Sequence, residues 1–106
     1  MIFELTDQNY ETVLRNSQHA VIDFMAEWCS PCKMVGAALE VMDAEYNEHV
    51  FIAKVDVDAN PELTAKFGVR NMPTVLYLKD GEVLDKQVGS TTKKILEEKL
   101  KAILQN

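Results

Sequence analysis

The chain has 106 residues, 47% apolar and 26% charged, with 17 acidic residues against 11 basic ones and a formal net charge of −6. That length suits one hydrophobic core, a single domain over 1–106 with no room for a second, and the apolar fraction is enough to fold without disulfide staples. The acidic balance, without any dense Lys/Arg cluster, argues against a nucleic-acid partner, and no apolar run approaches the roughly 18 residues of a membrane span.

The start, Met1-Ile2-Phe3-Glu4-Leu5, turns acidic too early for a secretory signal, so a cytoplasmic protein is expected. Ile2–Leu5 reads as a short strand. Thr6 is a candidate cap for a helix with Tyr10, Val13 and Leu14 on its apolar face. Ala20–Met25 is a buried strand, followed at once by Trp28-Cys29-Ser30-Pro31-Cys32-Lys33, which holds both cysteines of the chain. Beyond it Val35, Ala38, Leu39, Met42 and Tyr46 recur at helical spacing, with Asn47 as the stop.

Val50–Val57 is another apolar strand, and Asn60-Pro61 opens a short helix through Ala65 and Phe67 that ends at Gly68. Thr74–Leu78 and Glu82–Val88 flank Lys79-Asp80-Gly81, where Asp-Gly signals a tight hairpin turn and therefore antiparallel pairing. Ser90–Thr92 caps a last helix that buries Leu96, Leu100, Ile103 and Leu104. The predicted order is βαβαβαββα, an α/β fold with a mixed sheet, parallel in its first part and closed by the hairpin. The cysteine motif then sits where a strand hands over to a helix, the place where open α/β sheets carry their chemistry.

Two thiols separated by two residues can form and open a disulfide without remodelling a fold, which points to dithiol–disulfide exchange. A free thiol has a pKa near 8.5, so the nucleophile needs help at neutral pH. Pro31 suits the first helical turn, which puts Cys29 at the helix N-terminus, facing unpaired amides and a positive dipole that favour its thiolate. Cys32, one turn deeper and less exposed, is then the resolving thiol. A zinc site lacks its other ligands, since His19 and His49 are single and outside any knuckle spacing. A merely structural clip over so short a loop constrains the unfolded chain little.

Asp23 stands in the middle of Ala20-Val21-Ile22-Asp23-Phe24-Met25. Apolar neighbours on both alternations suggest a strand covered on two sides, with a desolvated carboxyl of raised pKa that is placed to take the Cys32 proton. The other reading is a carboxylate on a solvated strand face. Lys54, in the next apolar strand, either faces Asp23 across the sheet or snorkels to water. Lys33 is a solvated helix residue whose charge favours thiolate slightly. Pro73, in Met72-Pro73-Thr74, precedes a strand, and by the residues alone its peptide bond is expected to be trans.

Trp28-Cys29-Ser30-Pro31-Cys32-Lys33, Asp23 six residues before Cys29, Met72-Pro73-Thr74, Lys79-Asp80-Gly81-Glu82 and Val88-Gly89, in that arrangement, resemble the thioredoxin family over essentially the whole chain. That family is itself a reference case for C-x-x-C acidity and redox poise, so those two properties come with the resemblance. The resemblance implies a thioredoxin fold and a general protein-disulfide reductase, with Cys29 attacking, Cys32 resolving and Asp23 as buried proton acceptor. It implies a cis bond at Pro73 that sets the Met72 backbone ready to pair with an extended substrate strand, and a shallow docking surface of Trp28, Met72, Val88 and Gly89. It also implies protein disulfides as substrates, no cofactor beyond the Cys29–Cys32 disulfide/dithiol, and recharging by a flavin-containing, NADPH-dependent thioredoxin reductase. A small carrier of this kind is most simply a monomer.

Three positions depart from the family pattern. Ser30 replaces the usual glycine and, with Pro31, tunes acidity and potential. Met25 replaces a common aromatic residue, and Gly36-Ala37-Ala38 lacks the usual kinking proline at 37, so a weaker bend is expected. The competing functions are a thiol oxidase or isomerase, which needs a more oxidising couple and compartment, and a partner-binding module using the same apolar surface.

Overall fold

The structure is a computed structural model that describes residues 2–105; Met1 and Asn106, part of the expected 1–106 domain, lie outside it. Its elements are β1 Phe3–Glu4, α1 Tyr10–Arg15, β2 His19–Met25, α2 Ser30–Tyr46, β3 Phe51–Asp56, α3 Pro61–Lys66, β4 Thr74–Lys79, β5 Glu82–Val88 and α4 Lys93–Leu104. The five strands form one sheet in the order β1-β3-β2-β4-β5. β1, β3 and β2 run parallel; β4 is antiparallel to β2, and β5 to β4. This is the predicted element order and the predicted mixture of pairings.

The sheet divides the core into two layers by the period-two alternation of its strands. Val21, Ile52, Val75 and Tyr77 pack under α2 and α4 with Val35, Leu39, Met42, Leu96, Leu100 and Ile103. Ala20, Ile22, Phe24, Ala53, Val55, Leu76 and Leu78 pack on the other face with Tyr10 and Leu63 from α1 and α3. β2 is the central strand with both faces covered, and residues 20–24 are all buried. Position 23 shares the alternation of Val21 and so faces α2.

Hairpin β4–β5 turns at Asp80 and Gly81, whose φ angles of 50° and 83° are the two positive values a type I′ turn requires, and Lys79 pairs directly with Glu82. Thr92 caps α4 by accepting the Ile95 N–H at 3.3 Å, and Asn47 ends α2, as read from the chain.

Several boundaries differ by a residue or two: β2 begins at His19 rather than Ala20, β3 is Phe51–Asp56 rather than Val50–Val57, α3 ends at Lys66 rather than running through Phe67, and β4 extends to Lys79. β1 is only Phe3–Glu4 rather than Ile2–Leu5; Leu5 still gives its N–H to the Lys54 carbonyl at 2.9 Å, and the chain turns away at 7–9. Thr6 does cap, but it closes a turn ahead of α1: its hydroxyl accepts the Asn9 N–H at 3.2 Å while Asn9 Oδ1 accepts the Thr6 N–H at 2.8 Å. α3 is capped from a distance. Asn60 makes no side-chain cap there; the Asp7 carboxylate accepts the Leu63 N–H at 2.7 Å and the Glu62 N–H at 3.3 Å.

Candidate active site

β2 ends at Met25, three residues carry the chain outward, and Cys29 becomes the N-cap of α2 with extended backbone angles of φ −93° and ψ 106°. Its Sγ accepts the Cys32 N–H at 3.3 Å, so the sulfur takes the place that a serine or aspartate oxygen usually fills at such a position. Pro31 in the first turn gives up an N–H that would have had no partner. Cys29 and Cys32 are joined as a disulfide with Cα atoms 5.3 Å apart. The expected contrast in exposure between the two is small in this oxidised form, in which both are buried, Cys29 at 5% and Cys32 at 3%.

Around the disulfide, Ala26, Met25, Val57 and Met72 supply an apolar wall. The Met72–Pro73 bond is cis, which the residues alone did not favour and the family resemblance implied. Gly89, at φ +85°, gives its N–H to the Pro73 carbonyl at 2.8 Å, and Val88 faces Thr74 across the hairpin. The two loops are thereby held edge to edge, and Met72 of the first packs against the disulfide. Trp28 is 69% exposed, with its indole N–H donated to Asp58 Oδ2 at 2.8 Å. Asp58, thirty residues away, was not among the sequence candidates and carries no local signal. Nor was Met34, an exposed apolar side chain on the first turns of α2.

Asp23 is 2% exposed, and its Oδ1 has no hydrogen-bond partner. Burial pushes its carboxyl up from 3.8 to about 7, and the Lys54 charge opposes that rise. Of the two readings of this residue, the covered strand is the one found. Lys54 is the direct register partner of Asp23 on β3, yet its Nζ lies 3.9 Å from Glu4 Oε1 and its side chain is partly exposed, so both readings of the lysine hold in part. A cavity of about 450 Å³ has Asp23, Cys32, Lys54, Gly36 and Ala37 in its lining, together with the charged residues Glu27, Lys33 and Glu40, so the buried acid and the inner cysteine border one space. A larger concavity of about 950 Å³, lined by Tyr10, Arg15, Lys66 and Asp80, touches neither cysteine and has no evident part in the chemistry.

The sequence model of the family described as Thioredoxin matches residues 1–102. The chain belongs to the thioredoxin family. It is 41% identical over 99 residues to "Thioredoxin 2" of Chlorobaculum tepidum, covering 92% of this chain and 91% of that one. To the "Thioredoxin" of Bacillus subtilis it is 44% identical over 98 residues, covering 92% of each.

Membership of the thioredoxin family and the Cys29–Cys32 disulfide make this chain a protein-disulfide oxidoreductase that works through that redox-active pair. Thioredoxins act on protein substrates and are in general served by a reductase. Among the described residues no helix is long and apolar enough to cross a membrane.

The departures from the thioredoxin pattern all lie at this site. Ser30 is the exposed first residue of α2, between the two cysteines. Met25 packs against the disulfide. Gly36 and Ala37 form the thin helical wall over the Asp23 cavity, and α2 runs through them without interruption.

Proposed function

We propose that the chain is a general protein-disulfide reductase in which Cys29 is the attacking thiol, Cys32 the resolving thiol and Asp23 the proton acceptor for Cys32. The observation that carries this reading is the Cys32 N–H aimed at Cys29 Sγ from the α2 N-terminus. In the dithiol form that amide and the helix dipole favour negative charge on sulfur 29. The Cys29 thiolate attacks one sulfur of a substrate disulfide, forms a mixed disulfide and expels the other substrate sulfur as thiolate. Asp23 takes the Cys32 proton across the cavity they share, and the Cys32 thiolate attacks Cys29 Sγ. The second substrate thiolate leaves, two electrons have passed to the substrate, and the Cys29–Cys32 disulfide remains.

Trp28, Met72, Pro73, Val88 and Gly89 form the docking surface in this reading, with the free backbone of Met72 pairing with an extended substrate segment. Ser30 and Pro31 tune the thiols, and Lys54 moderates the acidity of Asp23. An NADPH-dependent thioredoxin reductase restores the dithiol. The chain works as one domain over 1–106, monomeric and cytoplasmic, with no cofactor besides its own disulfide.

Insulin reduction coupled to NADPH and a thioredoxin reductase tests the proposal. Cys29→Ser should abolish turnover, and Cys32→Ser should accumulate a mixed disulfide through sulfur 29. Retained cellular function in Cys29→Ser would instead support a partner-binding module, and a couple close to the glutathione pool in a redox titration would support an oxidase or isomerase. Asp23→Asn should slow release of the mixed disulfide near neutral pH; unchanged release would remove Asp23 from the mechanism.

A further inference from the structure

Beside Val88, on the α3 face of the hairpin, lies a groove of about 210 Å³ whose lining includes Phe67, Arg70, Asn71, Leu76, Lys86 and Val88. No acidic side chain lines it, although the chain as a whole carries a net charge of −6. The alternation of β5 produces this separation of charge. Asp85 stands opposite Tyr77 on the α4 face, where Lys99 reaches its carboxylate at 3.7 Å, whereas Lys86 stands opposite Leu76 on the α3 face. Lys99 also donates to the Lys86 carbonyl at 2.6 Å, which fixes the strand at that point. Among the described residues neither Arg70 nor Lys86 is in an ion pair. Two unpaired cations over an apolar floor of Leu76 make a place for a carboxylate on a partly apolar segment.

The groove is continuous with the docking surface. Val88 belongs to both, and Arg70 lies two residues before Met72. Lys86 is two residues from Val88 along β5, a distance of about 7 Å in an extended strand. A substrate strand laid against Met72 would bring a side chain two to four residues from its cysteine over this groove.

We propose that the groove is a subsite for an acidic side chain of the protein substrate, with Arg70 and Lys86 as specificity-determining residues. The inference rests on the docking surface described above. It assigns to this chain a preference among disulfides that a purely apolar surface would not have, and the preference should weaken with salt because both cations are exposed.

The test uses a set of disulfide peptides in which Glu, Gln or Lys is moved through positions two to four residues on either side of the attacked cysteine. For the full chain at low ionic strength, kcat/KM at the best position should fall in the order Glu, Gln, Lys, with Glu over Gln by about threefold or more, the combined yield of two surface ion pairs. The order should flatten in high salt. R70E/K86E should invert it, and R70Q/K86Q should level it, while both variants reduce a small uncharged aromatic disulfide, which has no side chain to reach the groove, at the wild-type rate. Equal rates for Glu, Gln and Lys peptides with the wild-type chain, or an order unchanged in both variants, would overturn the subsite and leave the thiol chemistry standing. Absence of turnover with every peptide would instead overturn the thiol reading on which the subsite depends.

Discussion

Asp23 and Lys54 face each other in register on adjacent parallel strands at the centre of the sheet, yet the carboxyl stays without a hydrogen bond at Oδ1 while the ammonium lies 3.9 Å from Glu4. The acid is therefore held in a desolvated place by a cation that only partly compensates it. This pairing gives the site a titrating group near neutral pH, and it does so at the expense of stability.

That expense has a definite sign. Between 3.8 and about 7 the folded protein holds a proton on Asp23 that the unfolded chain releases, so stability falls as pH rises through this window and stays lower above it. Asp23→Asn should be more stable than wild type at pH 8 by up to about 4 kcal/mol, from a rise of 3.8 to about 7 at 1.4 kcal/mol per pH unit. Near pH 3 the difference should nearly vanish. Urea unfolding at the two pH values checks it; an equal difference at both would mean that the carboxyl is not strained by burial.

Lys54→Gln removes the charge that opposes the upward push on Asp23. The carboxyl should then titrate above about 7, and the pH midpoint for resolution of the mixed disulfide should move up with it. Carboxyl-carbon NMR titration of Asp23 reads this directly, and an unmoved midpoint would show that Lys54 acts on Glu4 and solvent alone.

Much of this arrangement is legible in the chain because its causes are local. The Asp80-Gly81 turn, the Thr92 cap and the position of Pro31 one residue inside α2 each follow from backbone geometry within a few residues. Asp23 was legible too, since apolar residues at 20–22 and 24 mark a strand covered on both sides. What was not legible depends on distant partners. Asp7 reaches α3 across more than fifty residues, and Asp58 reaches Trp28 across thirty. Nothing local marks either acid as a partner. The cis bond at Pro73 ran against the ordinary preference of such bonds, so only the family resemblance pointed to it.

The distant cap is itself testable. Asp7→Ala leaves the Leu63 and Glu62 amides at the start of α3 without their acceptor and should destabilise the fold by about 1 kcal/mol. Asp7→Asn, which keeps an acceptor oxygen, should recover most of the loss. Equal effects of the two substitutions would count against a capping role.

Gly36 lies inside α2, and a Cβ built there meets nothing within 4 Å. Gly36→Ala should therefore gain helix propensity without a clash, stabilising by up to about 1 kcal/mol. For a domain of this size that corresponds to a rise of roughly 4–8 °C in melting temperature. A fall on thermal unfolding would show that the bare backbone over the Asp23 cavity is required.

The most direct test of the account is the pH dependence of alkylation at each cysteine of the reduced protein, followed by mass spectrometry. Sulfur 29 should react faster at neutral pH, with a midpoint below the 8.5 or so of an ordinary thiol, and sulfur 32 should lag well behind it. Two cysteines alkylated at the same slow rate, both with ordinary midpoints, would contradict the claim that the α2 N-terminus activates Cys29.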